Sequence, residues 1–240
     1  LRRGNHAGRL IRPTLVYNLP GETPQRYGCA VYSDDDGAIW HSRAPFPETG
    51  TGECALAELS DGSIYFNARK SYFDTTPEGF HCKRYAALSY DGGETWRELQ
   101  IDNTLPDGPR YRGAERKAAC WNGHFGMFAG LARLPVANRD ILVYSNADNP
   151  GHERINGTVW VSFDGGNSWP VRRLVHSGPF AYSSLEAGRP GTPSSGWIYL
   201  QFEGGNEDCY EGGRIARFNL VWILEGESTG DGKIPEWVRE

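Results

Sequence analysis

Apolar residues occur along this chain in short runs that are separated by turns rich in glycine, aspartate and proline. Runs of about five to ten residues between such turns predict β-strands, and no stretch carries the 3.6-residue periodicity of an amphipathic helix. The Asp61-Gly62 pair and the Asn138-Arg139-Asp140 segment mark turns between neighbouring runs. The sequence therefore predicts an all-β protein with strands at residues 8–17, 27–33, 54–59, 63–68, 84–89, 130–134, 140–145, 158–162, 197–203 and 215–224.

One eight-residue pattern, Ser-x-Asp-x-Gly-x-(Thr/Ile/Ser)-Trp, occurs three times, at residues 33–40, 89–96 and 162–169. Serine and aspartate side chains bond nearby backbone amides, and glycine takes the positive φ that a tight turn needs. We expect each copy to form a hairpin turn covered by its tryptophan. The copies begin 56 and then 73 residues apart, as expected for repeated four-stranded units with variable loops, which predicts a β-propeller.

Composition agrees with a strand-rich domain and limits the classes of partner. The chain has 31 Gly and 15 Pro but one Met, and it carries 8 Trp, 12 Tyr and 10 Phe. Its formal net charge of −5 provides no general attraction to nucleic acid or to an anionic membrane. No apolar run is long enough for a transmembrane segment. Recognition of an anion must therefore come from individually placed arginines.

The cysteine pattern gives no indication of a metal site. The five cysteines show neither a Cys-x-x-Cys pair nor any metal-ligand spacing; they are Cys29, Cys54, Cys82, Cys120 and Cys209. We expect buried thiols, although an odd count also allows one or two disulfides, so the redox compartment stays open.

The repeated turn resembles the Asp-box, or BNR repeat, of sialidases and several unrelated propellers. Residues 52–69 are similar to the sialidase stretch from the catalytic glutamate to the second substrate-binding arginine. Residues 143–147 resemble the strand that precedes the third arginine, and residues 177–185 resemble the segment with the nucleophilic tyrosine. These matches run in order over nearly the whole chain. By this resemblance the chain is identified as a member of the sialidase (neuraminidase) family, which implies a six-bladed β-propeller with about four blades present in a single domain over residues 1–240.

The resemblance assigns a role to four residues. Tyr182 takes the place of the nucleophile and Glu53 that of the glutamate that accepts its proton. Arg69 and Arg154 take the places of arginines that bind the substrate carboxylate. The family resemblance implies an exo-sialidase that releases terminal sialic acid from glycans, glycoproteins or glycolipids with retention, and it implies neither a metal nor an organic cofactor.

The chemistry gives an independent reason for these residue types. A sialoside carries a carboxylate on its anomeric carbon, so a neutral tyrosine avoids the repulsion that an Asp or Glu nucleophile would meet. Because an ordinary phenol has a pKa of about 10, it needs a base such as Glu53 at neutral pH. Glu58 lies at odd spacing from Glu53 and should face the other side of the strand. Guanidinium groups supply the bidentate bonds that a carboxylate accepts, which suits Arg69 and Arg154.

The chain also departs from the family pattern. Sialidases have a first substrate-binding arginine in an N-terminal segment and an acid/base aspartate soon after it, and neither segment occurs here. The N-terminal arginines, Arg2, Arg3, Arg9 and Arg12, resemble a later strand and receive no such role. We therefore expect an N-terminally truncated sequence that is inactive alone, from a protein that is secreted, periplasmic or lysosomal by family resemblance. The basic segment Pro109–Lys117 is expected to form a solvated loop.

Two other classes of function remain open from the residues. An Asp-box propeller can be a non-catalytic module that binds glycans or proteins, in which case Tyr182 is a packed tyrosine and Arg154 an ordinary loop arginine. A glycosidase acting on neutral glucans through paired carboxylates is the third class. Neither needs the combination of Glu53, Arg69, Arg154 and Tyr182, which favours the sialidase.

Overall fold

The computed structural model describes residues 1–17, 26–70, 83–107, 126–149, 153–229 and 234–238. The chain forms two compact units, Leu1–Asn103 (unit 1) and Thr104–Glu240 (unit 2). Short 3-10 turns lie at Gly4–His6 and Glu236–Val238. Within the described ranges, no helix is long and apolar enough to cross a membrane.

Unit 1 contains two antiparallel sheets. The first has the strands β1 (Leu10–Tyr17), β2 (Arg26–Ser33) and β3 (His41–Ser42), in that order. The second has β4 (Gly52–Glu58), β5 (Ile64–Arg69), β6 (Lys83–Ser89) and β7 (Arg97–Pro106), again in sequence order. The end of β7, from Thr104, belongs to unit 2. Every residue of the inner strand β5 is buried. Its Ile64, Phe66 and Ala68 pack into a core with Phe46 and Trp96.

Unit 2 contains one larger antiparallel sheet. Its strands are β8 (Gly130–Arg133), β9 (Leu142–Ala147), β10 (Ile155–Ser162), β11 (Val171–Ala187), β12 (Trp197–Gly204), β13 (Gly213–Asn219) and β14 (Glu227–Ser228). Neighbouring strands follow the order β13-β12-β11-β10-β9-β8, with β14 beside β11. The first part of β11 pairs with β10 up to Pro179, and the part from Phe180 pairs with β12. This 17-residue strand therefore joins the two halves of the sheet.

The three repeated turns have the geometry that the sequence predicts. Each serine Oγ accepts a bond from the glycine amide, at 2.9 Å in the first copy and 2.8 Å in the other two. Each aspartate Oδ1 accepts the amide four residues later, at 2.8 to 2.9 Å. The glycines at 37, 93 and 166 have φ values of 92°, 92° and 99°. The tryptophans differ, because Trp96 and Trp169 are buried whereas Trp40 is 46% exposed.

One strand prediction is wrong at its C-terminal end. The strand expected over residues 215–224 ends at Asn219, and Leu220–Leu224 form a short α-helix, α1. The side chain of Asn219 caps this helix, since its Oδ1 accepts the amide of Trp222 at 2.9 Å. A continuous apolar run concealed the change, because strands and buried helices both tolerate such a run.

Candidate active site

Two of the predicted site residues, Glu53 and Arg69, form an ion pair in unit 1. Arg69 ends β5 and is 2% exposed, while Glu53 lies opposite it near the start of β4. The register between these strands shifts between Gly52 and Ala55, and Glu53 takes a left-handed backbone with φ of 48°. Such a conformation is unfavourable for glutamate, and bulges of this kind redirect side chains beside functional sites. The bulge thus presents the Glu53 carboxylate to Arg69.

The other glutamate of β4, Glu58, has different partners. Its carboxylate accepts the backbone amides of Arg2 and Arg3, each at 2.8 Å. Glu53 and Glu58 therefore serve separate purposes: Glu58 holds the N-terminal segment of the chain, and Glu53 pairs with Arg69.

A fully buried arginine that the sequence reasoning missed supports this pair. Arg84 of β6 donates from Nε to Oδ1 of Asn67 at 2.7 Å and from Nη2 to the carbonyl of Glu53 at 3.4 Å. Asn67 in turn donates to the hydroxyl of Tyr65 at 3.3 Å. An arginine directly before the apolar run of β6 was the available signal, because an arginine that is buried with such a run needs a partner. Arg84 thus stabilises the strained backbone of Glu53 by a hydrogen bond to its carbonyl.

Arg154 and Tyr182, the other two predicted site residues, lie together in unit 2. Arg154 immediately precedes β10 and is 1% exposed. Its guanidinium carbon lies 5.3 Å from the centre of the Tyr182 ring, within the range of a cation–π contact. Its Nη1 donates to the hydroxyl of Tyr210 at 2.7 Å, and its Nη2 donates to the carbonyl of Gly126 at 3.0 Å. The buried Nε has no hydrogen-bond partner among the described residues.

Tyr182 is half-buried on β11, and it borders a cavity of about 260 Å³. Its ring centre lies 6.1 Å from that of Phe128, and its backbone amide donates to the Glu203 carboxylate at 3.3 Å. The adjacent Ser183 is buried and shares a 2.9 Å bond with the hydroxyl of Ser145. This bond fixes β11 beside β9 and so sets the direction of Tyr182, because neighbouring strand residues point to opposite faces.

The same small polar network recurs in both units. In each, an asparagine amide donates to the hydroxyl of the tyrosine two residues earlier: Asn67 to Tyr65 at 3.3 Å and Asn146 to Tyr144 at 2.6 Å. The Tyr144 hydroxyl donates a hydrogen bond to the carbonyl of Pro106 at 2.7 Å. Both networks lie on strands next to the predicted site residues. The repeated Tyr-x-Asn-Ala sequence was a signal that the strand pattern alone did not reveal.

The sequence-predicted residues thus form two pairs, Glu53 with Arg69 in unit 1 and Arg154 beside Tyr182 in unit 2. The basic segment Pro109–Lys117 lies outside the described residues, as do Cys82 and Cys120. The other three cysteines, Cys29, Cys54 and Cys209, are buried.

Consecutive antiparallel strands and Asp-box turns define a protein of the β-propeller class. A family model described as a BNR repeat-like domain matches residues 4–192. A sialidase from Micromonospora viridifaciens is 34% identical over 223 residues, which cover 93% of this chain and 29% of that protein. The chain belongs to the sialidase family.

Solved structures agree on the fold. An intramolecular trans-sialidase from Ruminococcus gnavus superimposes with a TM-score of 0.61 at 22% identity, covering 92% of this chain and 42% of that one. A leech intramolecular trans-sialidase gives a TM-score of 0.64 at 19% identity, covering 93% and 31%. These likenesses confirm the predicted all-β, sialidase-type propeller. The chain spans part of that propeller, with less than half the length of these relatives.

Proposed function

We propose that the protein to which this chain belongs is a retaining exo-sialidase that releases terminal sialic acid from glycoconjugates. The observation that carries the proposal is the burial of Arg154 against the ring of Tyr182. A fully buried guanidinium beside a half-exposed phenol is unusual for a packed propeller tyrosine, and it matches what an anionic sugar requires. The Glu53–Arg69 pair and membership of the sialidase family support the same reading.

Each residue has a defined part in this proposal. Arg69 and Arg154 bind the carboxylate on the anomeric carbon of the sugar through charge-assisted hydrogen bonds. The Tyr182 oxygen forms a bond to that carbon while the bond to the leaving oxygen breaks, and Glu53 takes the phenolic proton. The leaving oxygen keeps the electron pair of the broken bond and takes a proton from solvent. Water then attacks the same carbon, gives one proton to solvent and breaks the bond to the Tyr182 oxygen, which recovers its proton from Glu53. Two displacements leave the configuration of the sugar unchanged.

The test uses the intact protein with 4-methylumbelliferyl sialoside as substrate. We expect the unaltered protein to release 4-methylumbelliferone, and the Tyr182→Phe variant to lose turnover by about a hundredfold or more. Tyr199→Phe, which removes a phenol elsewhere in unit 2, is the matched control and should stay near the unaltered rate. Unchanged turnover in Tyr182→Phe would overturn the nucleophile assignment. Binding of the sialoside without hydrolysis by the unaltered, folded protein would instead favour a glycan-binding module.

A further inference from the structure

The loop between β12 and β13, residues 205–212, is organised around one carboxylate. Glu211 accepts the backbone amides of Asn206, Glu207 and Asp208 at 2.9, 2.8 and 2.7 Å. These hydrogen bonds lower the pKa of Glu211 below its usual range. A Cβ at Gly205 would lie 2.4 Å from the carboxyl carbon of Glu211, so glycine is required there. Hydrogen bonds within the loop, and not only the two flanking strands, therefore define its conformation.

The same loop is anchored on both sides of its tip. Cys209 is fully buried in the apolar core of unit 2, and the amide of Gly204 closes the base of the loop on the carbonyl of Gly212 at 3.0 Å. The backbone amide of Tyr210 donates to Asp208 Oδ1 at 2.8 Å. The side chain of Tyr210 is 52% exposed, yet its hydroxyl accepts the 2.7 Å bond from Arg154. An exposed ring with a fixed hydroxyl suits a residue that orients a neighbour.

Arg154 is consequently held by two acceptors, and neither of them bonds its Nε. Tyr210 engages Nη1 and the Gly126 carbonyl engages Nη2, which together set the plane of the guanidinium. Its Nε is buried and lacks a hydrogen-bond partner among the described residues. Buried donors are nearly always satisfied, so an unsatisfied one on a guanidinium that packs against the Tyr182 ring indicates an acceptor that arrives with a ligand.

We infer that Tyr210 is a positioning residue, which fixes Arg154 so that its Nε edge receives a carboxylate oxygen of the ligand. This inference rests on the proposed function, because it assumes that Arg154 binds the carboxylate of a sialic acid. It goes further by assigning a role to a residue outside the four site residues and by naming the edge of Arg154 that is used. The loop around Glu211 then acts on the site through Tyr210.

The test measures binding of free N-acetylneuraminic acid to the intact protein by calorimetry, beside turnover of the methylumbelliferyl sialoside. Tyr210→Phe removes only the hydroxyl, and we expect it to raise both the dissociation constant and KM by about tenfold, with kcat within about twofold. Glu211→Gln should shift both constants in the same direction by a smaller factor. Tyr199→Phe is the control and should leave them unchanged. The methyl ester of the sugar, which lacks the charged carboxylate, should bind the unaltered protein and Tyr210→Phe equally weakly.

The outcomes separate this inference from the proposed function. If the unaltered protein binds the acid but hydrolyses no sialoside, and Tyr210→Phe weakens that binding, the inference is supported and the proposed sialidase activity is rejected. Hydrolysis with equal KM in the unaltered protein and Tyr210→Phe would reject the inference and leave the sialidase intact. A lower melting temperature with unchanged binding would mean that Tyr210 is purely structural. Failure of the unaltered protein to bind the acid would overturn the inference as well.

Discussion

Replacing Arg9 with methionine should destabilise unit 1, because this side chain joins two Asp-box turns. Its Nε and Nη2 each donate to a carboxylate oxygen of Asp34 at 2.8 Å, within the first turn. Its Nη1 donates to the carbonyl of Gly92 at 3.1 Å, within the second. The guanidinium carbon also lies 3.8 Å from the ring centre of Tyr32. The hydrogen bond from Arg9 lowers the pKa of Asp34, so the pair stays charged throughout the mildly acidic range.

The magnitude follows from the burial of each contact. The Asp34 side chain is 55% exposed and that of Glu94, 3.2 Å from Arg9 Nη1, is 35% exposed, so these two ion pairs contribute little. The bond to Gly92 is buried, and its loss leaves an acceptor unsatisfied at a cost of about 1–3 kcal/mol. The lost contact with the Tyr32 ring adds about 0.5–1 kcal/mol. We therefore expect Arg9→Met to lower the free energy of unfolding by about 2–3 kcal/mol, which corresponds to a fall in Tm of roughly 5–10 °C.

The assay is thermal and denaturant unfolding of the intact protein, followed by tryptophan fluorescence. The control is Arg12→Met, which removes an exposed guanidinium from the same strand β1. Arg9→Lys keeps the charge, but a lysine cannot bond Asp34 bidentately and reach Gly92 as well. This variant should therefore show more than half of the fall in unfolding free energy expected for Arg9→Met. An Arg9→Met variant as stable as Arg12→Met would refute the view that Arg9 ties the turns together.

Three further predictions follow from single contacts. Arg69→Lys keeps the charge but not the planar donor pair, so KM for a sialoside should rise about tenfold in steady-state kinetics; near-normal KM would contradict the role of Arg69. Gly130→Ala places a Cβ 2.9 Å from the backbone nitrogen of Leu185 and should cost about 1–3 kcal/mol in denaturant unfolding, whereas the unobstructed Gly212→Ala should cost less. Burial works to raise the pKa of Asp91, but hydrogen bonds from Thr95 and Ser89 outweigh it and the pKa is lowered. The contribution of ionised Asp91 to the free energy of unfolding should therefore be fully present above about pH 4 and should be lost as the pH falls further. If the unfolding free energy of Asp91→Asn fell equally steeply with pH, this prediction would be contradicted.

The features that were predictable from sequence depend on contacts within a few residues. Each Asp-box turn is built from a serine, an aspartate and a glycine within one eight-residue window, so its geometry follows from local chemistry. The turn at Asn138, with φ of 55°, was predictable for the same reason. The helix Leu220–Leu224 also had a local signal, the capping residue Asn219, which the apolar run around it concealed.

The remaining features depend on distant parts of the chain. The pattern did not predict β11 as one strand, because Gly178-Pro179 interrupts it at the point where β11 changes partner from β10 to β12. The family resemblance predicts Glu53 and Arg69 as site residues, but it predicts neither the bulge that directs Glu53 nor the buried Arg84 that bonds the Glu53 carbonyl. Tyr210 meets Arg154 across 56 residues of sequence, a contact that strand periodicity does not determine.

The central claim is that Tyr182 forms a covalent bond with the sugar. The most direct measurement is incubation of the intact protein with 2,3-difluorosialic acid, followed by mass spectrometry of its proteolytic peptides. The fluoride on the anomeric carbon leaves and the phenolic proton is lost, so we predict that the peptide containing Tyr182 gains the mass of the reagent less HF. Fragmentation should assign this label to Tyr182, and Tyr182→Phe should gain none. A label on another residue, or none on a protein that hydrolyses sialosides, would contradict the claim.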